Sequence, residues 1–197
     1  MNKDWTLIIT PHHKLWHVDF KEIWRYRDLI TLFVKRNIIV QYKQTILGPL
    51  WYIIQPVLTV IMNMVVFGGI AKMSTDGIPQ PLFYMAGNVC WFYFSDCLNQ
   101  TSNTFTANQS MFGKVYFPRL VVPISTVLSN LLRFGIQLTL FVVLWIWFYA
   151  SGASVNVNVS VIVLLPVLVM MLAGLGLGFG ILISSMTTKY RDLTILS

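Results

Sequence analysis

Two long stretches of this chain carry no charge at all. No Asp, Glu, Lys or Arg falls between Arg133 and Lys189, and a second uncharged run extends from Gln44 to Ala71. Predominantly apolar runs of about 18 residues or more are stable only where lipid surrounds them. The pattern predicts four membrane helices, near Leu50–Ala71, Pro81–Asn99, Val121–Ala150 and Val159–Met186. Each is long enough to cross a hydrocarbon core of ~30 Å, and the last two are long enough to tilt. The fold class expected is therefore all-α and polytopic, with a transmembrane domain over residues 48–197.

Ahead of the first span the periodicity changes. Residues 20–45 contain no turn former before Gln44 except Asn37 and read as one helix. At about 100° per residue, Lys21, Arg25, Asp28, Lys35, Arg36 and Lys43 fall on one side, with Ile23, Tyr26, Ile30, Phe33 and Val34 on the other. Such a helix is expected in the membrane plane, cations towards headgroups and apolar residues in the acyl boundary. Arg27 and Asp28 add specificity that lipid does not require, so docking of a cytoplasmic partner is the second reading of this interface helix. Residues 1–19 form a separate N-terminal segment, and its His12, His13 and His17 lack the acidic or cysteine companions of a metal site.

Charge then sets the sidedness. The chain has 14 Lys and Arg against 7 Asp and Glu, and eight of those cations precede Gln44. Counted loop by loop, alternation of the spans leaves twelve cations on one side and one, Lys72, on the other. Lys and Arg concentrate in cytoplasmic flanks, so both ends of the chain are expected inside. The net charge of +7 accompanies no nucleic-acid recognition motif and is topological in origin.

Polar residues within the spans are few. Asp96 and Arg133 are the only charges there, and each costs about 2.5–3.5 kcal/mol at the centre of a lone helix. They are expected to face protein, water or one another, although residue counting from the span ends staggers them by ~9 Å. Gln55, Asn63 and Gln137 are weaker candidates for a polar path, equally explicable as interhelical glue. Gly174, Gly176, Gly178 and Gly180 place small residues at i,i+4 twice, which predicts close helix packing rather than a phosphate loop. Cys90 and Cys97 lie seven apart in one helix, too far for a disulfide, and read as inert thiols. Trp51, Tyr52, Phe83, Tyr84, Trp145, Trp147, Phe148 and Tyr149 sit where interfacial belts form. Trp91, Phe92 and Tyr93 are alternatives for stacking on sugar rings. No Ser-His-Asp set, HExxH or paired carboxylates appear, so no catalytic site is expected.

Three motifs carry a family likeness. Residues 35–56 (KRNIIVQYKQTILGPLWYIIQP), 114–123 (KVYFPRLVVP) and 189–193 (KYRDL) resemble, in order and spacing, the polysaccharide-exporting ABC-2 permeases. In these, a hinge into the membrane corresponds to Tyr42, Gly48, Pro49 and Trp51. Physically, Gly48-Pro49 suits a bend, and Pro56 frees carbonyls that need a partner such as Gln55. The resemblance assigns ATPase coupling to Lys114, Tyr116, Phe117, Pro118 and Arg119, with a second contact at Tyr190, Arg191 and Asp192. The pattern itself allows a short amphipathic helix from Phe105 to Tyr116, ended by Pro118. The family's six-helix plan implies two further helices and a re-entrant pair beyond Ser197.

What the resemblance implies is an ATP-driven exporter of lipid-linked O-antigen, capsule or teichoic-acid chains in a bacterial inner membrane. ATP and Mg would be bound by two copies of a separate ATPase, since this chain has no Walker motif. A second permease copy would complete the path. The alternatives are an ion-coupled secondary transporter using Asp96 and Arg133, and a membrane-embedded glycosyl or prenyl transferase, which lacks its clustered carboxylates here.

Overall fold

The computed structural model describes residues 20–43, 50–109, 117–152 and 160–189. Among them every regular element is helical. In chain order these are α1 (Phe20–Arg25), α2 (Arg27–Lys43), α3 (Trp51–Asn63) with a π-helical extension (Met64–Ile70), α4 (Gln80–Ser102), α5 (Thr104–Ala107), α6 (Val121–Ala150) and α7 (Ser160–Lys189).

Three segments are long and apolar enough to cross a membrane: Trp51–Ile70, Val121–Ala150 and Val163–Thr187. The remaining expected span, α4, has 23 residues and hence the length, but it is more polar. Its position explains the difference. α4 packs against α3, α6 and α7, so the bundle rather than lipid surrounds much of it. Met85, Val89, Tyr93 and Cys97 form its buried stripe at helical spacing and meet Val60, Val127 and Phe134 in the main core. Tyr93 is buried in this cluster, its ring tilted against Phe134 at 5.1 Å between centroids, so it is a core residue and not part of a sugar path. Trp91, two residues earlier, is exposed.

The seam between α4 and α7 is the tightest. Cβ atoms built at Gly176 and Gly180 would lie 2.7 Å from Cys97 Cβ and 2.5 Å from Thr101 Cβ, whereas at Gly174 and Gly178 they would meet nothing within 4 Å. Only one of the two expected glycine pairs therefore faces a helix.

Several local expectations are corrected. The interface helix is not continuous: Tyr26 forms a turn between α1 and α2, its N–H bonded to Ile23 O at 3.0 Å. The first span does not stay α-helical but widens into a π segment at Met64, where the Gly68-Gly69 pair removes side-chain crowding and Gln80 closes on Gly68. Of the helix expected from Phe105 to Tyr116, the described part is a short α5 from Thr104 to Ala107 followed by a turn at Asn108, whose side-chain Nδ2 bonds Thr104 O at 2.9 Å; residues 110–116 lie outside the described residues. The turn after the π segment uses left-handed backbone at Lys72, Asp76 and Gly77, which reverses the chain in few residues. Trp51, Phe83, Trp147 and Tyr149 project outward, as interfacial aromatics should.

Candidate functional site

Three helices converge on one polar cluster. Arg133 of α6 reaches Asp96 of α4, Nη1 to Oδ2 at 2.8 Å, and donates from Nη2 to Gln55 Oε1 of α3 at 2.9 Å. The guanidinium carbon stands 4.9 Å from the centroid of the Tyr52 ring. The side chains of Arg133 and Asp96 are 17% and 24% exposed, so neither is fully desolvated and neither is freely solvated. A charge-assisted pair with a third, neutral acceptor and an aromatic face satisfies most of what a guanidinium requires in low dielectric. The arrangement is a tie: one long side chain on α6 holds α3 and α4 together.

The stagger expected between Asp96 and Arg133 is absent because the helices are offset. Asn130 Nδ2 lies 3.9 Å from Cys97 Sγ and Phe134 stacks on Tyr93, so α4 and α6 run antiparallel with those residues level. Gln55 Oε1 accepts from Arg133, and Thr59 Oγ1 donates to Gln55 O at 3.0 Å.

One level further along the bundle, Asn63 Nδ2 donates to Asn88 Oδ1 at 3.4 Å, which makes Asn63 a link between α3 and α4. Gln137 is fully buried, and its Nε2 has no hydrogen-bond partner among the described residues. It sits inside the helix seam and not on an open path.

A second cluster forms where α6 begins. Phe33 of α2 is buried against Phe117, Val121 and Val122, with 5.9 Å between the Phe33 and Phe117 centroids. The apolar side of α2 therefore rests on protein, in contrast to the lipid-facing placement expected of a free in-plane helix. Asn37 Nδ2 adds a contact to Ser129 Oγ at 3.5 Å. Arg25, Arg27, Asp28, Lys35 and Arg36 all stay exposed. Arg27 and Asp28 approach to 3.8 Å, a solvated pair of little energetic weight. Next to Phe117, Pro118 is partly buried and Arg119 is exposed. Lys114, Tyr116, Tyr190, Arg191, Asp192, Gly48 and Pro49 lie outside the described residues. Tyr42 falls in the last turn of α2, and Trp51 opens α3 with its ring exposed.

Phe33→Ala is expected to loosen α2 from the start of α6. An aromatic pair is worth ~0.5–1.5 kcal/mol beyond its area, so amide exchange over residues 27–40 should quicken by up to about tenfold. Unchanged exchange there would show that α2 is held by something else.

Sequence reasoning missed three contacts. Tyr52 was assigned to a belt, although its place one turn before Gln55 on α3 put it beside any partner of that residue. The link from Phe105 N–H on α5 to Ser184 Oγ on α7, at 3.3 Å, had no signal in the pattern. Nor did the contact between Asn37 and Ser129. Among the described residues no group of three or more His, Cys, Asp or Glu is placed to hold a metal ion. The arrangement binds α3, α4 and α6 to one another.

Comparison with known proteins agrees with this picture. The sequence profile of the ABC-2 type transporter family matches residues 28–197. The chain is 28% identical over 124 residues to the O-antigen export system permease protein RfbA of Myxococcus xanthus, covering 63% of this chain and 47% of that one. It is 30% identical over 108 residues to RfbA of Klebsiella pneumoniae, covering 54% and 40% respectively. It is 29% identical over 115 residues to the polysialic acid transport protein KpsM of Escherichia coli, covering 56% and 43%. The chain spans about half the length of the curated relatives it matches.

Proposed function

Because the chain belongs to the ABC-2 type transporter family, we propose that it is a membrane-spanning permease subunit of an ATP-driven exporter of lipid-linked polysaccharide. The cargo is a glycan on a lipid carrier, of the O-antigen, capsule or teichoic-acid kind, and the site is a bacterial inner membrane. α4 is the fourth crossing, shielded by the three apolar ones. Both ends of this chain face the cytoplasm, where two copies of an ATPase bind ATP and Mg and hydrolyse the nucleotide. A second permease copy completes the path, because a few helices of one subunit enclose too little space for a polymer.

The observation that carries this reading is the family match over residues 28–197 together with the anchored end of α6. Pressure applied at Pro118 and Arg119 meets Phe117, which is wedged between α2 and α6. It passes to both helices at once. Along α6 it arrives at Arg133, whose bonds to Asp96 and Gln55 extend it to α4 and α3. α5 carries a parallel link into α7 through Ser184. Coupling at Lys114, Tyr116, Tyr190, Arg191 and Asp192 belongs to the same proposal.

The ion-coupled alternative requires Asp96 to exchange a proton or cation during transport. With Arg133 2.8 Å away, that carboxylate already has a fixed counter-charge. Co-purification of the complete permease with its ATPase tests the exporter reading. Arg119→Glu reverses an exposed charge without touching the core, so it is expected to weaken recovery of the ATPase and its stimulation by about tenfold. Full retention of both would remove Arg119 from the contact. Transport without any ATPase would overturn the reading itself.

A further inference from the structure

Contacts between α3 and α4 recur at three levels along the bundle. Arg133 joins Gln55 to Asp96, Asn63 Nδ2 donates to Asn88 Oδ1 at 3.4 Å, and the Phe67 and Tyr84 rings stand 6.2 Å apart between centroids. From Gln55 to Asn63 alone this seam rises ~12 Å, at 1.5 Å per residue. Thr59 lies one turn beyond Gln55 on α3, and Gln137 one turn beyond Arg133 on α6, both in the direction of Asn88. A polar group therefore stands at each turn of α3 from the Asp96–Arg133 pair to Asn88.

Four buried atoms of this seam have no hydrogen-bond partner among the described residues: Arg133 Nε, Gln137 Nε2, Asn88 Nδ2 and Tyr84 Oη. Only Thr101 Oγ1 and Trp145 Nε1 share that condition elsewhere in the described residues, so the orphans gather along one line. Gln137 is 1% exposed, which leaves bulk solvent no access to it. Buried polar groups in native proteins are nearly always paired, with protein or with ordered water. This set cannot pair within itself, because the guanidinium and carboxamide nitrogens only donate. Turning over both amides of the Asn63–Asn88 bond exchanges an orphan Nδ2 for an orphan Oδ1 and resolves nothing.

What these donors require is a small acceptor that can donate onward, inside a closed seam between helices. We propose that α3, α4 and α6 enclose a file of ordered water molecules, running from Arg133 Nε past Gln137 and Asn88 to Tyr84 Oη. The waters accept from the four donors and give their own protons to oxygens already in the seam, those of Asp96, Thr59 and Tyr84 among them. Buried waters commonly make about three hydrogen bonds apiece to polar groups that would otherwise be unmet. The three helices are then held partly through water, beside the direct tie at Arg133. The inference is independent of what the subunit carries and of any ATPase.

Solution NMR of the full chain in detergent micelles, with isotope-labelled Asn and Gln side chains, tests this. The side-chain amide protons of Gln137 and Asn88 should each show a nuclear Overhauser cross-peak to water, although Gln137 is shut off from bulk solvent. Gln137→Met, close in shape, identifies the Gln137 signals by their loss. It should also lower the thermal midpoint by about 2–4 °C, because the neighbouring water loses a donor and the seam keeps its other polar groups. A dry seam would respond in the opposite direction, gaining stability when an unpaired buried donor is removed. Absence of a water cross-peak at Gln137 in the unmodified chain, or a raised midpoint in Gln137→Met, overturns the proposal. Water at Gln137 but not at Asn88 overturns the continuous file.

Discussion

Asp96→Leu is expected to destabilise the helix bundle by about 3–5 kcal/mol, since it leaves the Arg133 guanidinium with only Gln55 and the Tyr52 ring in a largely desolvated place. The size of this effect follows from exposure. A solvated pair such as Arg27 with Asp28 is worth ~1 kcal/mol at most, but Asp96 and Arg133 are 24% and 17% exposed. Losing one partner there costs chiefly the desolvation of the other. The double variant Asp96→Leu with Arg133→Met should recover most of the loss, because apolar packing replaces a buried ion pair at little or no net cost. Gln55→Leu removes one hydrogen bond to a charged group and should cost about 1.5–3 kcal/mol. Unfolding in mixed micelles measures all three variants. If the double variant were as unstable as Asp96→Leu alone, the cost would come from shape and not from stranded charge.

The second large effect concerns the α4–α7 seam, where two neighbouring glycine pairs should answer oppositely to the same change. A Cβ at Gly180 would meet Thr101 Cβ at 2.5 Å and Leu98 O at 3.2 Å, and neither is the end of a flexible side chain. Gly180→Ala and Gly176→Ala should therefore each cost about 1–3 kcal/mol as the helices are forced apart. Gly174→Ala and Gly178→Ala meet open space, and replacing glycine within a helix gains up to about 1 kcal/mol of backbone entropy. Thermal midpoints of the four variants give the answer by sign alone. Destabilisation at all four positions would show that the helix is rotated from the phase described.

Both effects mark how far the chain could be read without coordinates. The bounds of α6 coincide with the span expected at Val121–Ala150, because a mostly apolar run with Arg133 as its one charge ends at a turn on either side. The pairing of Asp96 with Arg133 was equally accessible, since lipid leaves two opposite charges few other partners. Their third partner was not. Gln55, Asn63 and Gln137 are all neutral carboxamides, and only the packing of α3 against α6 brings Gln55 to Arg133 while Gln137 is buried in the seam. The glycine stripe was legible as a packing surface, yet its two pairs differ only in rotational phase, to which an i,i+4 pattern is blind.

The amphipathic character of residues 20–43 was visible and its burial partner was not. Phe33 finds Phe117 across more than eighty residues of chain, and periodicity within one helix says nothing about what covers its apolar side. The turn after α5 has a local signature that composition conceals: Asn108 adds a side-chain bond from Nδ2 to Thr104 O, as Asn does at helix ends.

Entry of force at the Phe117–Arg119 end of the bundle, as proposed, requires that end to face a cytoplasmic ATPase while the 72–80 turn faces out. Single cysteines at Ser74 and Arg119, in a Cys90→Ala background with the buried Cys97 retained, can be probed in intact cells with a membrane-impermeant maleimide. Labelling is expected at position 74 in intact cells and at position 119 only after permeabilisation. Labelling of position 119 from outside, with position 74 protected, would contradict this orientation and the proposed entry of force with it.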